Sequence, residues 1–195
     1  MAREAARPRF DRGAYLALEA VWRGRDGRHE FVGDEIVAMS GGKPRHNAVT
    51  ANVSAALHQR VVGRCTVCSP DQRVTVGATG ASFYPDVVVV CGPWELDEDR
   101  HGVTNPALVA EVLSPSTERY DREEKAPAYR QIPEVGDVLL VDPRTRRVTH
   151  HRRLDGGRWL VSEDVGEPET LDLALGVALP VAELFAGLDL VPEVE

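Results

Sequence analysis

Apolar residues recur at Tyr15, Leu18, Val21 and Trp22, a helical spacing that predicts a short amphipathic helix over 10–22. A cleaner i, i+4 stripe, Val49, Val53, Leu57 and Val61, predicts a second helix over 46–62. Between them, strand-like runs at 29–32 and 35–39 flank Gly33-Asp34, a tight-turn pair that predicts a hairpin. Residues 40–44 read as a loop. The alternation from Cys65 to Val76 reads as one strand, broken over 77–82. Residues 84–91 are apolar apart from Asp86, as in a strand covered on both faces. An acidic loop, 92–105, leads to a second buried strand, 107–113. Ser116 or Thr117 can cap the helix that follows, with Glu118 in its first turn. That helix extends to about residue 131, and Pro127 should deform or shorten it. A third apolar strand covers 135–141. A hairpin spans 147–154 and 158–163 around Asp155-Gly156-Gly157, and a short helix occupies 181–185. This order predicts an α/β fold with a central mixed sheet flanked by helices.

The 195 residues suit a single domain with a short N-terminal helix and a flexible acidic C-terminal tail. A hydrophobic content of 43% supports a core that needs no disulfide or structural metal. No apolar run approaches the roughly 20 residues that cross a bilayer, and the first residues lack the apolar segment of a secretory signal. The expectation is a cytoplasmic protein that does not enter membranes. Cys65 and Cys68 have Cys-x-x-Cys spacing. No second pair completes a zinc site, and an extended strand would point the two thiols to opposite faces, so the reading is structural.

Two carboxylates interrupt the apolar strands: Asp86 ahead of four valines, and Glu111 within Leu108-Val109-Ala110-Glu111-Val112-Leu113. An unpartnered buried carboxylate is costly. Two of them at the same end of neighbouring strands offer hard oxygen ligands to Mg²⁺ or Mn²⁺. The backbone carbonyl of Val112 could add a third oxygen. A lysine one helix away, Lys125, could hold a water or a phosphate beside the metal. The expectation is a metal-dependent phosphodiesterase. Against it stands the net charge of −8, because nucleic-acid binders usually present basic surface. The distribution softens the objection: acid gathers at 95–99, 163–169 and 193–195, and basic residues gather at Arg144, Arg146, Arg147, Arg152 and Arg153.

The runs Tyr84-Pro85-Asp86-Val87-Val88-Val89-Val90, Glu111-Val112-Leu113-Ser114-Pro115-Ser116-Thr117 and 121–129, with Ile132-Pro133-Glu134 and Leu179-Pro180, resemble the Uma-two family of restriction-endonuclease-like proteins. That family lies within the PD-(D/E)XK nuclease superfamily. The resemblance covers about 15–188 and implies a restriction endonuclease-like fold and a nuclease acting on nucleic acid, DNA in the first instance, with a divalent metal. It places the metal ligands on Asp86 and Glu111. The superfamily's usual lysine falls on Leu113, and Lys125 is the substitute implied by the family's pattern. Glu35 would supply a further ligand or orient a water, the alternative being an exposed hairpin glutamate. His46, at the start of its helix, and Gln72, one strand before Asp86, are weaker candidates. Asp121 is expected to pair with Lys125 at i, i+4. His150 and His151 read as solvated strand positions or phosphate contacts. Paired cuts in a duplex would suit a symmetric homodimer. Two other readings remain open: a non-catalytic nucleic-acid- or protein-binding module on the same fold, and a hydrolase of smaller phosphates or esters.

Overall fold

The computed structural model describes residues 9–22, 27–39 and 41–193. Ser40 and residues 194–195, which belong to the expected loop and tail, lie outside them, as does the start of the chain. Helix α1 (Arg12–Trp22) is followed by β1 (His29–Val32), β2 (Glu35–Ala38), α2 (Pro44–Val61), β3 (Cys65–Cys68), β4 (Arg73–Val76) and β5 (Ala81–Phe83). Then come β6 (Val87–Cys91), β7 (Gly102–Val103) and β8 (Leu108–Val112). A helical segment consists of α3 (Glu118–Tyr120), a π-helical turn (Asp121–Lys125) and α4 (Ala126–Tyr129). The chain continues through β9 (Asp137–Asp142), β10 (Arg147–Arg153), β11 (Trp159–Val165), β12 (Thr170–Leu173), β13 (Val177–Pro180) and α5 (Val181–Leu184).

A mixed six-stranded sheet, ordered β11-β10-β9-β8-β6-β3, forms the centre. β8 and β9 run parallel; the other neighbours are antiparallel. Its strands are apolar on both faces because both faces are covered. Val87 and Val89 pack with Val49, Val53 and Leu57 of α2. Val88 and Val90 face Phe83, Tyr129 and Ile132. Burying each such side chain contributes roughly 1.5–3 kcal/mol relative to leaving it in water. The α2 stripe is buried as its spacing required.

A second sheet, β2-β1-β5-β4-β7, lies beyond the expected single sheet. The run 65–76 is two strands in different sheets, separated at Ser69-Pro70-Asp71. Proline removes a ladder donor there and lets the chain turn. The acidic loop contains β7, and the β12–β13 hairpin precedes α5. Neither Ser116 nor Thr117 caps α3 through its side chain. Pro127 does deform the helix. It has no N–H to donate, and the adjacent Ala126 N–H reaches back to Asp121 O, widening one turn into a π-helix.

The cysteines include a structural bond that their Cys-x-x-Cys spacing does not predict. β3 pairs with β6 so that Cys65 lies opposite Cys91, and the two form a disulfide. Cys68 remains a free thiol.

Candidate active site

Pro85-Asp86 leads directly into β6, whose antiparallel register with β8 sets Val87 opposite Ala110. One step back along that register places Asp86 opposite Glu111. Asp86 Oδ2 accepts a hydrogen bond from the Val112 amide N at 2.8 Å. His46, in the first turn of α2, brings Nε2 to 3.2 Å from the same oxygen. Glu111 is buried beneath the helical segment, where its Oε1 accepts from the Tyr129 hydroxyl at 2.6 Å. Among the described residues, these contacts and that of Lys125 engage one oxygen of each carboxylate.

Lys125 closes the cluster. Its Nζ lies 2.9 Å from Glu30 Oε1, 3.3 Å from Glu111 Oε1 and 3.4 Å from Asp121 Oδ1. The last is the i, i+4 contact expected from the spacing, made across the π-helical turn. Burial works against the ammonium, but Glu111, Glu30 and Asp121 outweigh it and hold Lys125 well above the ordinary lysine range. Burial pushes the Glu111 carboxyl well up, against the pull of Lys125, and Asp121, Asp86 and Glu30 add repulsion. Burial likewise raises Asp121. For His46, burial lowers the pKa, but the hydrogen bond to Asp86 and its charge reverse the outcome, so the ring is raised above the usual histidine value. Three carboxylates (Glu30, Glu111 and Asp121) therefore contact one ammonium, while Asp86 pairs with His46. Burial raises Glu111 and Asp121, so a proton or a further cation relieves their crowding.

Asp86, Glu111, Val112, Lys125 and His46 all line one cavity of about 1080 Å³. Val112 enters through its amide N–H, the contact it makes with Asp86. Glu35 and Gln72 do not line this cavity. Glu35 sits at the turn end of the β1–β2 hairpin, while Glu30 on the paired strand reaches Lys125. Gln72 donates to the carbonyls of Arg73 and His101 and borders a separate cavity of about 580 Å³. Its expected place beside Asp86 came from reading 65–76 as one strand.

The expected basic face is also revised. Arg144 pairs with Asp142 and Glu118, Arg146 with Asp189, and Arg147 and Arg153 donate to backbone carbonyls. None of these four lines the cavity. His150 is buried against Asp137 at 2.8 Å, so it is neither solvated nor a phosphate contact. Burial, then Arg130, pulls the half-buried His151 down to about 4.

Among the described residues, no group of three or more His, Cys, Asp or Glu side chains is arranged to hold a metal ion. The donor set nevertheless fits a hard divalent cation. Mg²⁺ commonly takes one or two carboxylates and leaves its other positions to water and substrate phosphate. Asp86 and Glu111 supply such a pair, each with a second oxygen that carries no hydrogen bond among the described residues.

A family model described as "Uma2: Putative restriction endonuclease" matches residues 13–182. Two Synechocystis proteins, each named as uncharacterized, are similar over most of their lengths. Protein sll1609 is 34% identical over 149 residues, covering 75% of this chain and 84% of its own. Protein slr1290 is 30% identical over 182 residues, covering 93% and 94%. A solved structure described as a "putative nuclease belonging to DUF820" from Anabaena variabilis superposes with a TM-score of 0.68 at 18% identity, over 91% of this chain and 98% of that one. At that identity the likeness establishes a shared fold.

Proposed function

From the premise that this chain belongs to the Uma2 family, described as "Putative restriction endonuclease", we propose that it is a metal-dependent nuclease that hydrolyses phosphodiester bonds in DNA. One observation carries the reading. Asp86 and Glu111 meet at the ends of adjacent strands, with the Lys125 ammonium beside them in the same cavity.

Asp86 and Glu111 would hold the ion, Mg²⁺ or Mn²⁺, through the oxygens not engaged by Val112, His46, Tyr129 and Lys125. When bound, such an ion supplies Lewis acidity toward a phosphoryl oxygen and lowers the pKa of a coordinated water. His46 and the Val112 amide orient Asp86, and Tyr129 orients Glu111, as outer-shell partners commonly do for metal ligands. Lys125 offers positive charge where negative charge develops during in-line attack at phosphorus. Its anchorage by Glu30 and Asp121 fixes that charge without a strand position. Leu113, at the superfamily's lysine position, is a buried core residue instead.

A non-catalytic binding module on the same fold is the second reading, favoured by the engagement of Glu111 with both Tyr129 and Lys125. Incubation with circular and linear DNA and RNA in Mg²⁺ or Mn²⁺ separates the two. Cleavage that stops in EDTA, and in Asp86→Ala and Glu111→Ala, supports the nuclease. Intact polynucleotide under every condition supports the module.

A further inference from the structure

The wall of the cavity opposite the carboxylate cluster is one face of α2. Its core side is the stripe Val49, Val53, Leu57 and Val61. Its other side presents Lys43, Asn47, Thr50, Ser54 and His58 to the cavity, at steps of three and four residues. No residue of α2 is acidic. The carboxylates lining the cavity, Asp86, Glu111 and Asp121, all belong to the metal-site cluster. Beyond that cluster the walls carry basic, hydroxyl and apolar groups, so the chain's surplus acid lies elsewhere.

Two independent features mark this wall as built for an anion. The first turn of α2 has no side-chain cap and opens on Pro44, so the N–H groups of Arg45 and His46 and the positive end of the helix dipole remain available to an anion. One turn further, Thr50 is 8% exposed and its hydroxyl has no hydrogen-bond partner among the described residues. A buried hydroxyl without a partner is costly. A phosphate oxygen would satisfy it.

The burial of the reacting groups limits what reaches them. Glu111 and Lys125 are 3% and 5% exposed at the wall of a cavity of about 1080 Å³. A flexible single strand can carry its scissile bond into such a cavity, whereas a stiff duplex must be distorted to do so. Apolar side chains, including Met39, Ala51, Ala55 and Val67, also line the cavity, and unpaired bases present apolar faces to such surfaces.

We infer that the substrate is an unpaired nucleic-acid strand whose phosphates lie along the Lys43–Thr50–Ser54 face of α2 while its scissile bond reaches Asp86 and Glu111. The inference rests on the nuclease reading and names its substrate class.

Fluorescence anisotropy tests it with a 5′-fluorescein single-stranded oligonucleotide and the duplex of the same sequence, bound to the full chain in EDTA. The single strand should bind at least tenfold more tightly. Lys43→Glu and Ser54→Glu should each weaken that binding at least fivefold, and Lys43→Glu should reduce the salt slope by roughly one unit. Arg146→Glu, outside the cavity, should change neither. Equal or tighter binding of duplex, or single-strand binding indifferent to both α2 substitutions, would overturn the inference. If Mg²⁺-dependent cleavage persists in that case, the nuclease reading survives alone. Binding along α2 with no cleavage of any strand would instead support the track and remove the nuclease.

Discussion

Lys125 Nζ lies 3.3 Å from Glu111 Oε1, a contact reached from the helical segment and not from the strand. The position two residues past Glu111 on the strand carries Leu113, packed with Val109 and Tyr129. The π-helical turn ends on Lys125, so the deformation beside Pro127 and the placement of the ammonium belong to one local structure.

Lys125→Met should destabilise the fold by about 3–5 kcal/mol, because it leaves buried carboxylates without their cation. Glu111→Gln should leave stability unchanged or raise it, since it removes one of the three carboxyls around Lys125, whose own charge burial disfavours, and keeps an acceptor for Tyr129. Urea unfolding of both variants without divalent metal checks the pair. Two equal losses would contradict this electrostatic arrangement.

His46→Ala should weaken divalent-metal affinity by about 10–100-fold without unfolding the chain, because His46 orients Asp86 and its side chain is partly exposed. Calorimetric titration of Mn²⁺ into the variant measures it. Unchanged affinity would make His46 a structural neighbour only.

Asp97 couples stability to acid. Its Oδ2 takes hydrogen bonds from Arg73 at 2.8 Å and Thr75 at 2.7 Å, and its Oδ1 from the Gly102 amide. Burial raises its pKa, but Thr75, Asp99, Gly102 and Arg73 prevail and bring it down to about 2. A carboxyl depressed on folding contributes stability above its unfolded value, near 3.9. That stability is lost as pH falls through the folded value. Unfolding free energy should therefore drop between about pH 4 and pH 2, and Asp97→Asn should flatten that part of the decline while costing about 3–5 kcal/mol at neutral pH. Denaturant titrations across the acid range test both.

The Cys65–Cys91 bridge closes a loop with a sequence separation of 26 residues, which corresponds to about 3.5 kcal/mol by chain entropy. Cys91→Ser should lower the melting temperature, and dithiothreitol should bring the wild-type chain down to the variant's value. A wild-type melt indifferent to reductant would show that the bridge contributes nothing.

The two carboxylates were legible in the sequence because each interrupts an otherwise apolar strand, where a charge demands a reason. Lys125 was legible through the family resemblance, since composition does not distinguish it from a surface lysine. Glu30 left no comparable mark. It lies in a short hairpin strand between His29 and Phe31, and only the packing of that hairpin against the helical segment turns it inward. Glu35 was favoured instead because the family resemblance implies an acidic residue after the Gly-Asp turn. The disulfide was hidden for a similar reason: Cys68 is near in sequence, but Cys91 is near in space. Reading β3 and β4 as one strand lost the second sheet and misplaced Gln72.

Electron paramagnetic resonance of free Mn²⁺ during titration into the wild-type chain, Asp86→Ala and Glu111→Ala reads the proposed ligand pair without requiring turnover. Wild-type protein should deplete the free-ion signal at a stoichiometric site, and each variant should weaken that site at least tenfold. Mn²⁺ uptake identical in all three proteins, or none in the wild type, would contradict a metal held between Asp86 and Glu111.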